Sequence, residues 1–212
     1  MDQIKGLLMM FTAGTDTSAI TMEMGMTQLI KNPWALNKVQ EEVRRVVGDK
    51  GMVEESDLQY LPYLKQVIKE TLRLHPPGPL LPARENMIGA KVNGYDIPAK
   101  TMIYVDVYSI GRDSKYWENP EVFWPERFEN SSINFKGSNL ELIPFGAGRR
   151  ICPGVALAMA NVELAFANIL YRFNWRLPDG MTKEDVDLRT KPGITTPKLI
   201  PLVLVATPGF TK

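Results

Sequence analysis

Cys152 is the single cysteine of this 212-residue chain, and the residues around it are typical of a metal-ligating thiolate. It lies in a glycine-rich stretch, residues 145–154, that reads FGAGRRICPG. Gly146 and Gly148 can adopt positive φ angles, so the loop can turn sharply and lie close to a flat ligand. A helix-periodic apolar run begins at Val155, so Cys152 comes just before a helix N-terminus, where free N–H groups stabilise a thiolate. The loop therefore predicts a thiolate ligand for a haem iron.

A second polar group lies inside the predicted opening helix, where residues 13–18 read AGTDTS. Glycine costs backbone entropy in mid-helix, and hydroxyl side chains compete for carbonyl groups. A sequence that accepts this cost within one turn predicts a local opening of the helix. A kinked helix with back-bonded threonines explains the motif equally well when the motif is taken alone.

The elements that must position these groups are mainly helical. Asn32 is predicted to cap the second helix, which Pro33 opens, and the prolines after residue 75 end the third. Helical patterns are predicted over residues 2–30, 33–48, 63–74 and 155–171.

A small β portion accompanies the helices. Strand patterns cover residues 84–87 and 101–107, with a turn at Asn93-Gly94 between them, and residues 199–205 form the clearest late strand. Residues 117–139 contain many prolines, aromatics and asparagines without a clear period, which predicts a compact irregular segment. The predicted fold class is mainly α with a small β portion.

Composition excludes several classes of protein. Twenty-five basic and twenty-four acidic residues leave the net charge near zero, which argues against nucleic-acid binding. One cysteine and one histidine exclude a disulfide framework and a zinc site. No run of about 18 uninterrupted apolar residues occurs, so no membrane span is predicted, and no signal-peptide pattern follows Met1. The lone histidine, His75, lies at a helix end before two prolines, and we assign it a capping or packing role.

The loop matches Phe-x-x-Gly-x-Arg-x-Cys-x-Gly, the haem-binding signature of the cytochrome P450 family, at every fixed position. The chain resembles this family over essentially its whole length, and residues 74–77, 93–98 and 144–146 look most like plant microsomal members. The resemblance implies that residues 1–212 are the C-terminal haem-binding portion of a single P450 domain, from the oxygen-groove helix to the last strands.

The resemblance also implies a set of site residues. The cofactor would be haem b (iron protoporphyrin IX), with Cys152 as the metal ligand and Arg84 and Arg150 as anchors for its propionates. Asp16 and Thr17 would be the acid and the alcohol of a catalytic proton relay. The remaining cofactor-binding residues would be those that shape the loop: Phe145, Gly146, Gly148 and Gly154.

Glu70 and Arg73 lie three residues apart on the third predicted helix, and most such pairs are exposed and contribute little. Residues 125–128, which read PERF, resemble the family segment whose arginine, here Arg127, completes a Glu–Arg–Arg network. The resemblance implies a structural role for this network, in support of the segment that carries the cysteine loop.

The implied reaction inserts one oxygen atom from O2 into a small hydrophobic organic substrate, in plant specialised metabolism. Electrons would come from NADPH through NADPH–cytochrome P450 reductase, at the cytosolic face of the endoplasmic reticulum. Full-length relatives are more than twice as long, so we expect a partial protein without the membrane anchor and with half of the pocket walls missing. The alternative is a truncated, catalytically inactive fragment. An isomerising haem-thiolate enzyme is a third option, against which the Asp16–Thr17 pair argues.

Overall fold

The computed structural model describes the backbone of residues 2–209 and the side chains of residues 6, 8 and 10–209. The chain is mainly helical with a small β portion, as the sequence predicts. The helices are α1 (Asp2–Lys31), α2 (Pro33–Val47), α3 (Pro62–Leu74), α4 (Val107–Ile110) and α5 (Val155–Arg172). The strands are β1 (Arg84–Glu85), β2 (Ala90–Val92), β3 (Tyr95–Ile97), β4 (Met102–Ile103), β5 (Phe173–Arg176) and β6 (Val205–Pro208).

The core lies where α1, α2, α3 and α5 meet. Each helix contributes apolar side chains that are excluded from solvent, among them Leu29, Val39, Leu64 and Phe166. Gly25 allows α1 to approach α5 closely, because a Cβ atom there would lie 2.9 Å from Cε1 of Phe166. The second half of α1 is thus fixed between α3 and α5, which places the 13–18 motif on the half that extends beyond this core.

The predicted N-cap position at Asn32 is right, but its side chain does not cap the helix. Asn32 occupies the N-cap position of α2, but its side chain accepts no hydrogen bond from that helix. Its amide donates instead to the carbonyl of Gln28 at 2.9 Å, because the side chain turns back toward the end of α1. A cap that the sequence does not indicate occurs at α3, where the Glu42 carboxylate accepts hydrogen bonds from the backbone N–H groups of Tyr63 and Leu64, each 2.9 Å.

The strand predictions are partly right. The two predicted outer strands are present only as the short antiparallel pair β1 and β4. Between them β2 and β3 form a separate hairpin around Asn93 and Gly94, whose φ angles of 48° and 87° fit a tight hairpin turn. In the described residues, β5 pairs with β6. Residues 199–204 are not a strand, because Pro201 lacks an N–H group and the N–H of Leu202 donates to the Glu23 carboxylate.

The irregular segment is confirmed. Within residues 117–139, regular structure in the described chain is limited to a short 3₁₀ turn, Pro125–Phe128. Trp117 and Phe128 pack edge to face, with ring centroids 5.7 Å apart, and bury Leu142 with them. Aromatic packing and side-chain hydrogen bonds therefore hold this segment in place of a backbone ladder.

The expectation of no membrane span stays a prediction. By length and composition, α5 is apolar enough to cross a membrane, and it is the one such helix in the part of the chain that the structure describes. Polar residues interrupt the apolar run of α5, but its mean hydropathy is still high enough for a membrane-spanning helix. Phe166 and Leu170 of α5 are buried in the core, and the Asn168 amide is bonded to the backbone of Val53. These contacts place one face of α5 in the core, and its length and composition alone assign no membrane role.

Candidate functional site

The cysteine loop is a tight turn that ends in an exposed thiol. Gly146 and Gly148 have φ angles of 77° and 68°, as the predicted sharp turn requires. The N–H of Cys152 donates to the carbonyl of Phe145 at 2.9 Å, which closes the loop at its base. Cys152 is exposed, and α5 begins at Val155, three residues later. The loop therefore leaves the sulfur atom of Cys152 accessible.

The irregular segment supports this loop from behind. The rings of Phe135 and Phe145 are 5.5 Å apart. Gly137 lies so close to the loop that a Cβ atom there would be 3.2 Å from both Cα of Ala147 and Cδ1 of Ile151. Neither Phe135 nor Gly137 was predicted, because nothing in their local sequence pairs them with residues ten or more positions away.

Arg84 and Arg150 come together at the same loop. Nη2 of Arg84 donates to the backbone carbonyl of Arg150 at 3.2 Å. Gly146 is buried against this arrangement, since a Cβ atom on it would lie 3.7 Å from Nη2 of Arg84 and 3.6 Å from Cδ1 of Leu81. Leu81 has a φ angle of 49°, a costly conformation for a leucine. A cavity of about 640 Å³ lies here, lined by Ala83, Arg84, Glu85, Met87, Arg149 and Arg150.

These residues fit a haem. The side-chain chemistry suits a haem, because a thiol can supply a sulfur ligand to iron and guanidinium groups bind carboxylates such as propionates. The glycine at position 146 is also suitable. It has no Cβ atom, and its positive φ allows the sharp turn of the loop. No cluster of three or more His, Cys, Asp or Glu side chains that could hold a metal ion occurs among the described residues. Cys152 stays the predicted haem ligand, and its exposure in the described structure is compatible with that role.

The 13–18 motif does not open the helix. Residues 13–18 keep the α-helical pattern, and the hydroxyls of Thr17 and Ser18 donate back to the carbonyls of Ala13 and Gly14, each at 2.7 Å. The predicted local opening of the helix is therefore wrong. The hydroxyl groups are satisfied by back-bonding within the helix, so its α-helical pattern is kept. The alternative interpretation is a kinked helix with back-bonded threonines, and the back-bonding that it predicts is present at Thr17.

Asp16 and Thr17 do not bond to each other in the described structure. Oδ2 of Asp16 accepts a hydrogen bond of 2.5 Å from the hydroxyl of Thr195, on a C-terminal segment. Thr195 was not predicted as a partner of Asp16, since 179 positions separate them and no sequence pattern relates them. The acid of the predicted relay is therefore held from outside its own helix.

Glu70, Arg73 and Arg127 form the predicted network. Nε and Nη2 of Arg73 donate to the two oxygens of Glu70, each at 2.7 Å. Nε of Arg127 donates to Oε1 of Glu70 at 3.0 Å, and the backbone N–H of Trp124 donates to the same oxygen at 2.9 Å. The Glu70 and Arg73 side chains are both fully buried. The network is therefore a desolvated, bidentate ion pair extended by a second arginine.

The remaining donors of the two arginines fix backbone carbonyls in the irregular regions. Nη1 of Arg73 donates to the carbonyls of Gly111 and Pro120, at 2.5 and 2.8 Å. Nη1 of Arg127 donates to the carbonyl of Glu118 at 2.8 Å. Because these stretches lack a sheet or helix ladder, the guanidinium groups supply hydrogen bonds to their backbone carbonyls.

His75 has the packing role that the sequence indicates. Its backbone N–H donates to the carbonyl of Thr71 at the end of α3, and its Nε2 lies 2.7 Å from Nε2 of Gln28. Burial, followed by the charges of Arg112, Lys198 and Arg73, lowers its pKa from 6.5 to about 3. The imidazole is therefore neutral at pH 7 and accepts a hydrogen bond from the Gln28 amide.

Comparison with known proteins places these features in a family. The family model for "Cytochrome P450" matches residues 3–204. Cytochrome P450 71A1 of Persea americana is 56% identical over 200 residues, which are 94% of this chain and 40% of that protein. Strychnine-11-hydroxylase of Strychnos nux-vomica is 49% identical over 209 residues, or 98% of this chain and 41% of that protein.

A solved structure gives the same result for the fold. A zebrafish cytochrome P450 structure with abiraterone superposes with a TM-score of 0.83 at 30% identity. The match covers 94% of this chain and 45% of that chain. The chain thus spans about two fifths of the length of the curated relatives that it matches.

Proposed function

The chain belongs to the cytochrome P450 family, and on that premise we propose that residues 1–212 are the C-terminal haem-binding portion of a single monooxygenase domain. The exposed thiol of Cys152, at the end of a loop that two positive-φ glycines turn sharply, is the observation that carries the proposal. The curated relatives compared above are plant proteins, and one of them is a strychnine hydroxylase by name.

In this proposal Cys152 ligates the iron of haem b, and Arg84 and Arg150 bind its propionates. Phe145, Gly146, Gly148 and Gly154 shape the loop so that backbone can lie against the ring. When bound, the haem supplies the redox chemistry that cleaves the O–O bond, which a thiolate ligand favours. The cavity beside Arg84 and Arg149 and the hydrogen bond from Arg84 to the Arg150 carbonyl support the placement of both arginines.

The net reaction consumes one O2, one NADPH and one proton for each substrate molecule. One oxygen atom enters a C–H or C=C bond of a small hydrophobic organic substrate, and the other leaves as water. The two electrons come from NADPH through NADPH–cytochrome P450 reductase. We place the longer protein at the cytosolic face of the endoplasmic reticulum, in plant specialised metabolism, because the sequence motifs are most like those of plant microsomal members and the relatives are plant P450 proteins.

Asp16 and Thr17 supply the protons in this proposal. An aspartate can carry a proton from solvent, and a hydroxyl can pass one on because it both accepts and donates. Asp16 is exposed to solvent, which suits an entry point for protons. Thr17 must exchange its hydrogen bond to the Ala13 carbonyl for one to the reacting group, a rotation about a single side-chain bond.

The test is a carbon-monoxide difference spectrum on the purified chain, reconstituted with haem and reduced. We expect a strongly red-shifted Soret band, because thiolate ligation moves the band far from the position given by a neutral ligand. Cys152→Ser should abolish the shift, whereas His75→Gln should retain it, since the imidazole of His75 already bonds to Gln28. A red-shifted band in Cys152→Ser would contradict the ligand assignment.

A second candidate is a catalytically inactive polypeptide. The observation in its favour is the set of apolar side chains exposed on α1 and α5: Leu8, Met10, Phe11 and Leu157. These side chains, taken with the other described residues, do not enclose a site from water, and desolvation is part of the proposed chemistry. Absence of any thiolate spectrum from a folded chain would favour this candidate over the monooxygenase.

A further inference from the structure

Asp16 is held by a hairpin from the C-terminal part of the chain. The hydroxyl of Thr195 donates to Oδ2 of Asp16 at 2.5 Å, and both residues are solvent-accessible. The neighbouring alcohol, Thr17, is bonded to Ala13 within the helix. Thr195 is therefore the described hydroxyl that bonds the acid.

The hairpin fixes Thr195 independently of this contact. Its stem is closed by the bridge between Thr190 and Lys198 and by the hydrogen bond from Lys191 N–H to the Pro197 carbonyl, at 2.8 Å. The buried Lys198 side chain donates to the carbonyl of Asp187 at the foot of the stem. The stem therefore fixes the base of the tip, residues 193–196.

The tip is also fixed from the side. The N–H of Thr196 donates to the carbonyl of Pro77 at 2.9 Å. Gly193 allows a very compact turn, since a Cβ atom there would lie 2.7 Å from the carbonyl oxygen of Thr195. The backbone around Thr195 is therefore constrained by the hydrogen bond to Pro77 and by the compact turn at Gly193. These two contacts set the direction from which Thr195 approaches Asp16.

A hydroxyl that donates to one carboxylate oxygen restricts the rotation of the whole carboxylate. A bond between a hydroxyl and an ionised carboxylate is short and strong for its type. Oδ2 is engaged in this way, so Oδ1 is the oxygen left to accept or release a proton. Without Thr195, an exposed aspartate on a helix would sample several rotamers, and its oxygens would exchange positions.

We infer that Thr195 is a positioning residue for Asp16, which orients the acid so that one oxygen remains free for proton transfer. The inference deepens the proposed function and rests on it for the proton-transfer part. The hydrogen bond itself does not depend on that function. Thr195 acts through Asp16, so it is not a catalytic residue.

The first test measures amide hydrogen–deuterium exchange in the 212-residue chain. Thr195→Val removes the hydroxyl and keeps the shape, so residues 193–196 should exchange about threefold faster, in line with the loss of one partly exposed hydrogen bond. Asp16→Ala, which removes the acceptor, should have a similar effect. Thr195→Ser should restore the original rate. Thr190→Val, which removes a hydroxyl from the stem of the same hairpin, is the matched control and should leave the tip unchanged.

The second test measures hydrogen peroxide released per NADPH oxidised, with the haem-loaded chain and a P450 reductase in air. Release of peroxide consumes two electrons and two protons per O2, whereas complete reduction to water consumes four of each. Poor proton delivery therefore favours peroxide. We expect at least a twofold rise in Thr195→Val, reversal in Thr195→Ser, and no change in Thr190→Val.

The outcomes separate the two proposals. Unchanged exchange at the tip in Thr195→Val overturns the inference. Faster exchange with an unchanged peroxide ratio overturns the positioning role and leaves a purely structural contact. If the haem-loaded chain gives no thiolate spectrum and oxidises no NADPH, the proposed function fails together with the proton-transfer part, while the exchange experiment still decides whether Thr195 holds Asp16.

Discussion

The carboxylate of Glu70 and the guanidinium of Arg73 face each other through two hydrogen bonds of 2.7 Å, and neither side chain is accessible to solvent. Removing two charges from water is costly, and the cost is offset only when every donor and acceptor is satisfied. Here Arg127 and the N–H of Trp124 complete the shell of Glu70. The pair is therefore tied to the irregular segment that supports the cysteine loop.

Glu70→Ala should destabilise the chain by about 3–5 kcal/mol, because it leaves a buried arginine charge without its partner. The free energy of unfolding, measured by urea titration, checks this value. Arg127→Ala should cost less, since Arg127 makes a single bond to Glu70 and lies nearer the surface.

A matched control comes from the second pair with the same spacing, Arg176 and Asp179. Their side chains are 54% and 93% exposed, so solvent screens the attraction. Asp179→Ala should leave the urea midpoint nearly unchanged. A midpoint shift as large as that of Glu70→Ala would contradict the assignment of the stability to burial.

Gly25→Ala should destabilise the chain by about 1–3 kcal/mol, the usual cost of overpacking a core. The new methyl group would lie 2.9 Å from the ring of Phe166, and a ring in a close-packed core has little room to move. Gly14→Ala on the same helix meets nothing within 4 Å and should stabilise the helix by up to about 1 kcal/mol. Thermal unfolding followed by circular dichroism measures both. Equal effects of the two variants would refute the close helix contact.

Gly146→Ala should reduce haem uptake, because residue 146 has a φ angle of 77° and is buried against Leu81 and Arg84. Gly180→Ala is the control, since Gly180 also has a positive φ, 83°, but meets nothing within 4 Å. Both variants should lose about 1–2 kcal/mol of stability from the left-handed conformation. Only Gly146→Ala should lower the amount of haem bound per chain at saturation, as measured by absorbance.

Acid should destabilise the chain through His75. Its pKa is about 3 in the folded state, below the 6.5 of an unperturbed histidine, so the unfolded state binds one more proton between these values. The stabilising contribution of the neutral imidazole is complete above pH 6.5 and is lost as the pH falls toward 3. Within that window the free energy of unfolding should fall by up to about 1.4 kcal/mol per pH unit from this group alone.

The measurement is urea unfolding of the chain and of His75→Gln at pH 7 and pH 5. The wild-type chain should lose about 1–2 kcal/mol more than the variant between these two pH values. Identical pH dependence in the two proteins would show that His75 is not buried as a neutral group.

Sequence patterns identified the cysteine loop and the long helices because the evidence for them is local. Gly146 and Gly148 indicate positive φ, and the structure has it at both positions. The starts of α2 at Pro33 and of α3 at Pro62 follow from the fixed φ of proline. The Glu70 network was predicted only through a family resemblance, since its members lie 57 positions apart at the extremes and their spacing alone is typical of an exposed pair.

The tertiary structure decided the contacts between distant residues and the choice among partners. Asn32 bonds backward to Gln28, and Thr17 bonds within its helix although the motif suggested an opening. Local composition lists which groups can donate and accept, but packing decides which partner lies within reach.

The sequence by itself therefore determined the cysteine loop, the helical scaffold and the family of this protein. Only the fold decided that Glu42 caps α3, that Arg84 meets the carbonyl of Arg150, and that Thr195 holds Asp16. Backbone preferences depend on neighbouring residues and can be inferred from local sequence. A hydrogen bond across 179 positions forms only once the fold has brought both groups to within 3 Å.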